Sequence, residues 1–186
     1  HPLVELDGLT LGILGYGAIG RAVAQLGQAF GMEVIAHSRS LQNSIEGEVR
    51  AIDRDALFRE SDVLTLHCPL TEETDQVVNA ESLATMKPSA FLINTGRGQL
   101  VDEAALLDAL ASGHVSAAAL DVFEQEPLPP ENPLWDAPNV YISAHSSVSI
   151  DRYVDDVFDV FEDNLRRYLA GEALRNQVDM EGLGFS

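Results

Sequence analysis

The sequence predicts an α/β fold in which a doubly wound parallel sheet carries helices on both faces. Short apolar runs alternate with segments of helical spacing along most of the chain. A glycine-rich turn also joins the first apolar run to the first helical segment. Repeated strand, helix, strand units build a parallel sheet, because each crossover helix returns the chain to the edge from which it started.

Six apolar runs have the character of buried strands, since they are too short to form independent helices. They are TLGILG (10–15), MEVIAH (32–37), DVLTLH (62–67), AFLINT (90–95), SAAALDVF (116–123) and NVYISAH (139–145). Helical spacing lies between them, for example over 19–30, 54–60 and 102–111. Ligands of such sheets bind beyond the carboxyl ends of the strands, at the point where the strand order switches direction.

A long amphipathic helix is predicted over residues 151–170, ended by Gly171. We expect its apolar stripe to pack on the core; a surface for a partner is the alternative. The stripe contains Val154, Val157, Phe158, Phe161, Leu165 and Tyr168. We assign residues 1–170 to one domain that includes this helix. Residues 171–186 form a tail that we expect to be poorly anchored or to return toward a neighbouring domain.

The charge and composition exclude several classes of function. A formal net charge of −19 repels nucleic acid and anionic membranes. The sequence has no apolar run long enough to cross a bilayer and no signal-peptide pattern, which predicts a soluble cytoplasmic protein. The single cysteine, Cys68, has no partner for an internal disulfide, and the scattered histidines lack zinc-ligand spacing, so we expect no metal site.

The first helix opens with Gly15, Gly17 and Gly20 in GxGxxG spacing. Directly after a strand and before a helix, this spacing is typical of a dinucleotide site in a Rossmann-like fold, in which helix N–H groups face the pyrophosphate. The intervening residues Tyr16, Ala18 and Ile19 then belong to the same site. The alternative is a tight turn with no ligand.

A carboxylate that binds the adenosine ribose is expected roughly 20 residues after the first glycine. Ser38 and Arg39 stand there instead. A guanidinium can pair with a 2′-phosphate, which a carboxylate would repel, so these residues favour NADP over NAD. The alternative is that Arg39 stacks on adenine or faces water.

The motifs INTGRGQLVDEAAL, AALDVFEQEPLP and ISAHSS carry a family resemblance. From about residue 6 to residue 179 the chain resembles the cofactor-binding domain of the D-isomer-specific 2-hydroxyacid dehydrogenases. The resemblance implies a catalytic triad of Arg97, Glu126 and His145. In that family a cation holds the substrate carboxylate, and a histidine, which titrates near neutral pH, exchanges a proton with the carbonyl oxygen. Glu126 then fixes the imidazole.

The same resemblance implies further cofactor contacts. These are Cys68, Pro69 and Thr74 on the adenosine and phosphate side, and Thr95, Gly96, Asp121 and Ser147 toward the nicotinamide. Ser146 and Ser147 are more polar than the residues that commonly follow the family histidine. The family's substrate domain has no counterpart in this sequence, so we expect the chain to bind cofactor without enclosing a substrate.

The function predicted from the resemblance is reduction of a small 2-keto acid, of the glyoxylate or hydroxypyruvate reductase kind. NADP is the preferred cofactor and NAD remains possible. The alternative is a dinucleotide-sensing module of the corepressor type without significant turnover. The resemblance also implies a homodimer formed through the cofactor domain.

Overall fold

A computed structural model of the chain describes residues 5–39, 45–46, 48–147 and 152–177. By its internal packing the chain divides into two compact units, His1–His145 and Ser146–Ser186, which are described separately below. The domain limits expected from the sequence, 1–170 and 171–186, stay predictions.

The first unit is built on an eight-stranded sheet of order β3-β4-β2-β1-β5-β6-β7-β8. Neighbouring strands are parallel except β3 and β4, which pair antiparallel at one edge. The strands are β1 Thr10–Leu14, β2 Glu33–His37, β3 Ile45–Glu46, β4 Val49–Ala51, β5 Val63–Leu66, β6 Phe91–Asn94, β7 Ala117–Leu120 and β8 Val140–Ile142. The helices of this unit are α1 Ala18–Ala29, α2 Arg54–Glu60, α3 Ala80–Thr85 and α4 Glu103–Ala111.

The predicted fold class is confirmed, with differences in detail. All six predicted strands are present, but each is shorter than its apolar run. β7 ends at Leu120, although the Asp121 N–H still donates to Asn94 O of the neighbouring strand at 3.0 Å. Strands β3 and β4 were not predicted, because two or three residues are too few to show the alternating pattern of a strand.

Alternate residues of the sheet pack on opposite faces, as the two-residue period of a strand requires. In β2, Val34 and Ala36 join a core cluster with Ala24 of α1. Ile35 between them joins the larger cluster on the other face, which includes Leu57 of α2. Strand order switches direction at β1, which has β2 on one side and β5 on the other. The glycine turn therefore lies at the switch point, where ligands of such sheets bind.

The second unit contains α5, Tyr153–Ala170. Gly171 ends this helix in the left-handed conformation with φ +71°, as predicted. The apolar stripe is not packed on a core, since α5 has no buried residue and Phe158 is 64% exposed. That prediction is wrong, and the buried members of both core clusters in the described part of the chain all belong to the first unit.

The tail is also better anchored at its start than expected. Arg175 donates its backbone N–H to Asn164 Oδ1 at 2.8 Å and pairs through Nε with Asp163 Oδ2 at 3.1 Å. These contacts fold the first tail residues back onto α5. The rest of the tail, from residue 178, lies outside the described residues.

None of the helices in the described ranges is both long and apolar enough to span a membrane. Within the same ranges, no cluster of three or more His, Cys, Asp or Glu side chains is arranged to hold a metal ion. The predicted cytoplasmic location stays a prediction.

Candidate active site

Three loops at one edge of the sheet hold the predicted catalytic residues. Arg97 follows β6, Glu126 follows β7 and His145 follows β8. Because these strands are neighbours and parallel, their carboxyl ends meet at the same edge. The fold therefore brings the loops of three sequence-distant motifs to one place.

Glu126 and His145 form a direct pair. His145 Nδ1 lies 2.6 Å from Glu126 Oε2, and Glu126 Oε1 accepts the Phe123 N–H at 3.0 Å. The hydrogen bond from His145, followed by that from Phe123, holds the pKa of Glu126 below its usual value of 4.5. Burial and the nearby Asp121 oppose this shift. An ionised carboxylate on Nδ1 orients the ring so that Nε2 is the nitrogen suited to exchange a proton with a substrate.

The backbone also fixes His145. Its N–H donates to Asp121 O at 2.8 Å, and its φ of +49° is unusual for a non-glycine residue. Asp121 is itself 3% exposed, and Ser143 Oγ donates to its carboxylate at 2.5 Å. Asp121, predicted to border the cofactor, thus also supports the histidine. Ser143 was not predicted, although a hydroxyl directly after a strand of a parallel sheet is a signal for such a role.

Arg97 is exposed, and its guanidinium donates to Gly96 O at 2.7 Å. Its loop is shaped by Asn94, which is buried at the end of β6. Asn94 Nδ2 donates to Arg97 O at 2.8 Å, and Asn94 Oδ1 accepts the Gly96 N–H at 3.0 Å. Asn94 was missed by the sequence reasoning, although an asparagine that ends a buried strand is a recognisable signal.

A cavity of about 460 Å³ opens beside the Glu126–His145 pair. Apolar side chains dominate its wall, including those of Phe123, Leu128 and Trp135. A smaller cavity of about 150 Å³ lies nearby against Thr95 and Asp121. An apolar wall with few polar groups strengthens the electrostatic interactions made within it.

The glycine turn fits the close approach of a dinucleotide. Gly15 has φ +100°, and a Cβ there would lie 2.3 Å from the backbone N of Cys68. A Cβ on Gly20 would lie 2.2 Å from Gly15 O, so α1 packs tightly on the turn. At Gly17 a Cβ would meet no atom within 4 Å, which leaves open space for a phosphate.

The start of α1 offers its N–H groups to an anion. Gly17 provides no side-chain cap and the first turn has no acidic residue. By contrast, Asp53, Asn79 and Asp102 cap α2, α3 and α4 with their side chains. The buried Tyr16 lies within the turn, between Gly15 and Gly17, and the Arg21 guanidinium lies 4.7 Å from the centre of its ring. Arg21, which was not predicted, thus adds a positive charge near the turn. The predicted residues Ala18 and Ile19 are the first two residues of α1.

Ser38 and Arg39 follow β2 beside the glycine turn. The Gly15 N–H donates to the carbonyl of His37, the last residue of β2, at 2.8 Å. Ser38 is half-buried and Arg39 is exposed. This is the position that the ribose ligand of a dinucleotide site requires.

The loop after β5 closes the other side of the turn. Cys68 packs against Gly15, and burial raises the pKa of its thiol to about 11, which disfavours the reactive thiolate at neutral pH. Thr74 Oγ1 donates to Pro69 O at 2.7 Å and accepts the Thr71 N–H at 2.8 Å. Thr74 therefore shapes this loop. Ser147 belongs to the second unit, so its cofactor contact stays a prediction, as do the roles assigned to the other site residues.

Comparison with known proteins decides the family. A family model described as D-isomer specific 2-hydroxyacid dehydrogenase, NAD binding domain, matches residues 1–147. The chain belongs to this family. The resemblance inferred from its motifs is therefore confirmed, together with a dinucleotide-binding domain.

Relatives from this family have related activities. A glyoxylate reductase of Aeropyrum pernix is 51% identical over 153 residues, which are 79% of this chain and 46% of the relative. A glyoxylate/hydroxypyruvate reductase of Sinorhizobium meliloti, solved with NADP and sulfate, has a TM-score of 0.87 and 34% identity, over 99% of this chain and 60% of that one. A D-isomer specific 2-hydroxyacid dehydrogenase of Lactobacillus delbrueckii, solved with NAD, has a TM-score of 0.85 and 32% identity. The match covers 95% of this chain and 57% of that one. The chain spans about half the length of the curated relatives it matches.

Proposed function

We propose that this chain is the cofactor-binding and catalytic part of an oxidoreductase that reduces a small 2-keto acid to the D-2-hydroxy acid. The observation that carries the proposal is the Glu126–His145 pair, joined at 2.6 Å beside an apolar cavity and at the edge where Arg97 lies. Family membership and relatives named glyoxylate and hydroxypyruvate reductase support the substrate class.

His145 supplies the proton in this proposal. A nicotinamide cofactor, when bound, supplies the hydride for the carbonyl carbon. The carbonyl oxygen gains negative charge as the hydride arrives, and Nε2 of His145 gives it a proton. Glu126 holds Nδ1, and its negative charge favours the charged form of the ring that gives up the proton. In the oxidative direction the neutral ring accepts the proton.

Arg97 holds the substrate carboxylate. Its guanidinium can bind both carboxylate oxygens at once, which fixes the direction of the adjacent carbonyl. In the described structure the guanidinium is exposed and its hydrogen bond runs to Gly96 O, so a substrate can compete for it.

We propose that NADP is the preferred cofactor. The start of α1 and Gly17 would hold the pyrophosphate, and Ser38 with Arg39 would hold the 2′-phosphate. This preference is supported by the position of Arg39 after β2, where the NAD-specific carboxylate would otherwise stand.

Arg39→Asp should weaken NADPH binding by about tenfold to a hundredfold, since a charged hydrogen bond is lost and a repulsive charge is gained. NADH binding should change by less than threefold, roughly within the scatter of a surface substitution. Dissociation constants for both cofactors, measured by fluorescence titration of the full-length protein, test this. Arg59→Asp at the end of α2 is the matched charge reversal. Equal losses for both cofactors would contradict the NADP preference.

Turnover is the test of the proposed function. The full-length protein should oxidise NADPH in the presence of glyoxylate or hydroxypyruvate. Tight cofactor binding without turnover on any 2-keto acid would instead favour the dinucleotide-sensing alternative.

We also propose a homodimer formed through the cofactor domain, as the family resemblance implies. The exposed apolar stripe of α5 supports an additional contact, since Val157, Phe161 and Leu165 are each 45% exposed or more. Light scattering of the full-length protein should give twice the mass of one full-length polypeptide. Phe161→Glu should raise the dimer dissociation constant at least tenfold if α5 lies in the interface, whereas Asp159→Asn on the polar face should not; an unchanged dimer would exclude α5.

A further inference from the structure

We infer that Glu103, the first residue of α4, is a positioning residue that holds the Glu126–His145 pair in its working geometry through the backbone of Glu124. The inference rests on the proposed function for its effect on catalysis. Its structural content is a set of contacts between the start of α4 and the loop after β7.

The two glutamates bind each other's backbone rather than each other's side chain. Glu103 Oε1 accepts the Glu124 N–H at 2.7 Å, and Glu124 Oε1 accepts the Glu103 N–H at 3.1 Å. Two carboxylates so close would repel each other in isolation. Here each is stabilised by an N–H group, and the positive end of α4 favours both. We call this reciprocal arrangement of Glu103 and Glu124 the glutamate clamp.

Neighbouring contacts tie the clamp to both catalytic loops. Gln99 Nε2 donates to Glu124 O at 3.2 Å, and Asn132 Nδ2 donates to Glu103 Oε2 at 3.2 Å. Gly98, next to Arg97, lies directly on the same loop, since a Cβ there would fall 1.8 Å from the carbonyl carbon of Phe123. The Arg97 loop and the Glu126 loop are therefore held against each other at the Phe123–Glu124 peptide.

Glu126 depends on this backbone. Its Oε1 is held by the N–H of Phe123, the residue before Glu124, and its Oε2 binds His145. A movement of residues 123–124 therefore moves the carboxylate relative to the imidazole. Misplacement of a catalytic group by about 1 Å can lower a rate by up to a hundredfold.

Glu103→Ala and Glu103→Gln in the full-length protein test the clamp. Glu103→Ala should lower kcat for 2-keto acid reduction by about tenfold to a hundredfold, with the cofactor KM nearly unchanged. Glu103→Gln should recover most of that loss, because the amide keeps a carbonyl oxygen for the Glu124 N–H. Glu81→Ala is the control, since it also removes an acidic residue from the first turn of a helix.

A second measurement separates positioning from helix stability and does not need turnover. The NMR signal of the hydrogen-bonded Nδ1 proton of the His145 ring, assigned with His145→Ala, should change in Glu103→Ala in the same direction as in Glu126→Gln, since both variants disturb the bond to Glu126. If the unmutated protein shows no turnover but Glu103→Ala still changes the NMR signal, the proposed function is overturned and the clamp is not. An unmoved Nδ1 proton signal in Glu103→Ala, or equal kcat losses in Glu103→Ala and Glu103→Gln, would overturn the clamp.

Discussion

His145→Ala should lower kcat for reduction of a 2-keto acid by about 10²–10⁴-fold in the full-length protein, the usual contribution of a positioned general acid. Glu126 binds the ring at 2.6 Å, and the His145 N–H donates to the backbone of Asp121, so these contacts fix the orientation of the imidazole. Cofactor affinity should stay within about threefold, because the glycine turn lies at β1 and not at β8.

His145→Gln provides the matched control, since it keeps a polar side chain that can hydrogen-bond Glu126 but cannot serve as an acid near neutral pH. Both variants should be similarly inactive in steady-state assays. A His145→Ala enzyme with kcat within threefold of the unmutated protein would remove His145 from the mechanism.

Arg97→Met should raise KM for the keto acid and lower kcat/KM by about 10²–10³-fold, because the substrate carboxylate loses a bidentate charged partner. The kcat/KM of Arg97→Lys should lie between those of the unmutated protein and Arg97→Met, since lysine keeps the charge without the planar guanidinium. Steady-state kinetics with glyoxylate measure the effect, and Arg59→Met at the end of α2 controls for loss of a surface cation.

A clear ranking of these arginine variants is the point of the experiment. Equal kcat/KM values for the unmutated enzyme and for Arg97→Met would show that the carboxylate is held elsewhere. A loss in Arg97→Met that Arg97→Lys fully restores would mean that charge alone, without the planar guanidinium, is what binds substrate.

Much of the fold was predictable because its central strands are buried on both faces. The runs around Ile13, Leu64 and Leu92 are mostly apolar, and all three of these residues are fully buried. The apolar stripe of α5 shows the limit of such reasoning. Its helical period correctly predicts the helix, but a period does not reveal what covers the apolar face.

The candidate site also contains both residues that the sequence predicts and residues that it does not. Arg97, Glu126 and His145 stand in motifs at the ends of strands, and the parallel sheet brings these ends to one edge. Asn94, Ser143 and Glu103 were missed or interpreted as ordinary residues. Asn94 binds Arg97 O only three residues away, whereas Ser143 and Glu103 bind Asp121 and Glu124 through tertiary contacts more than twenty residues apart in sequence. Glu103 in particular is typical of a helix start, so nothing local indicates its second partner.

The pH dependence of kcat/KM for keto-acid reduction, compared between the unmutated full-length protein and Glu126→Gln, tests the central claim most directly. Hydrogen bonds from His145 and Phe123 keep the pKa of Glu126 low, so its carboxylate is charged throughout a neutral assay. Glu126→Gln removes this charge beside the ring that donates the proton, so the loss of activity on the alkaline side should begin at a lower pH. Superimposable profiles, or a shift to higher pH, would contradict the role of the Glu126–His145 pair as the proton donor.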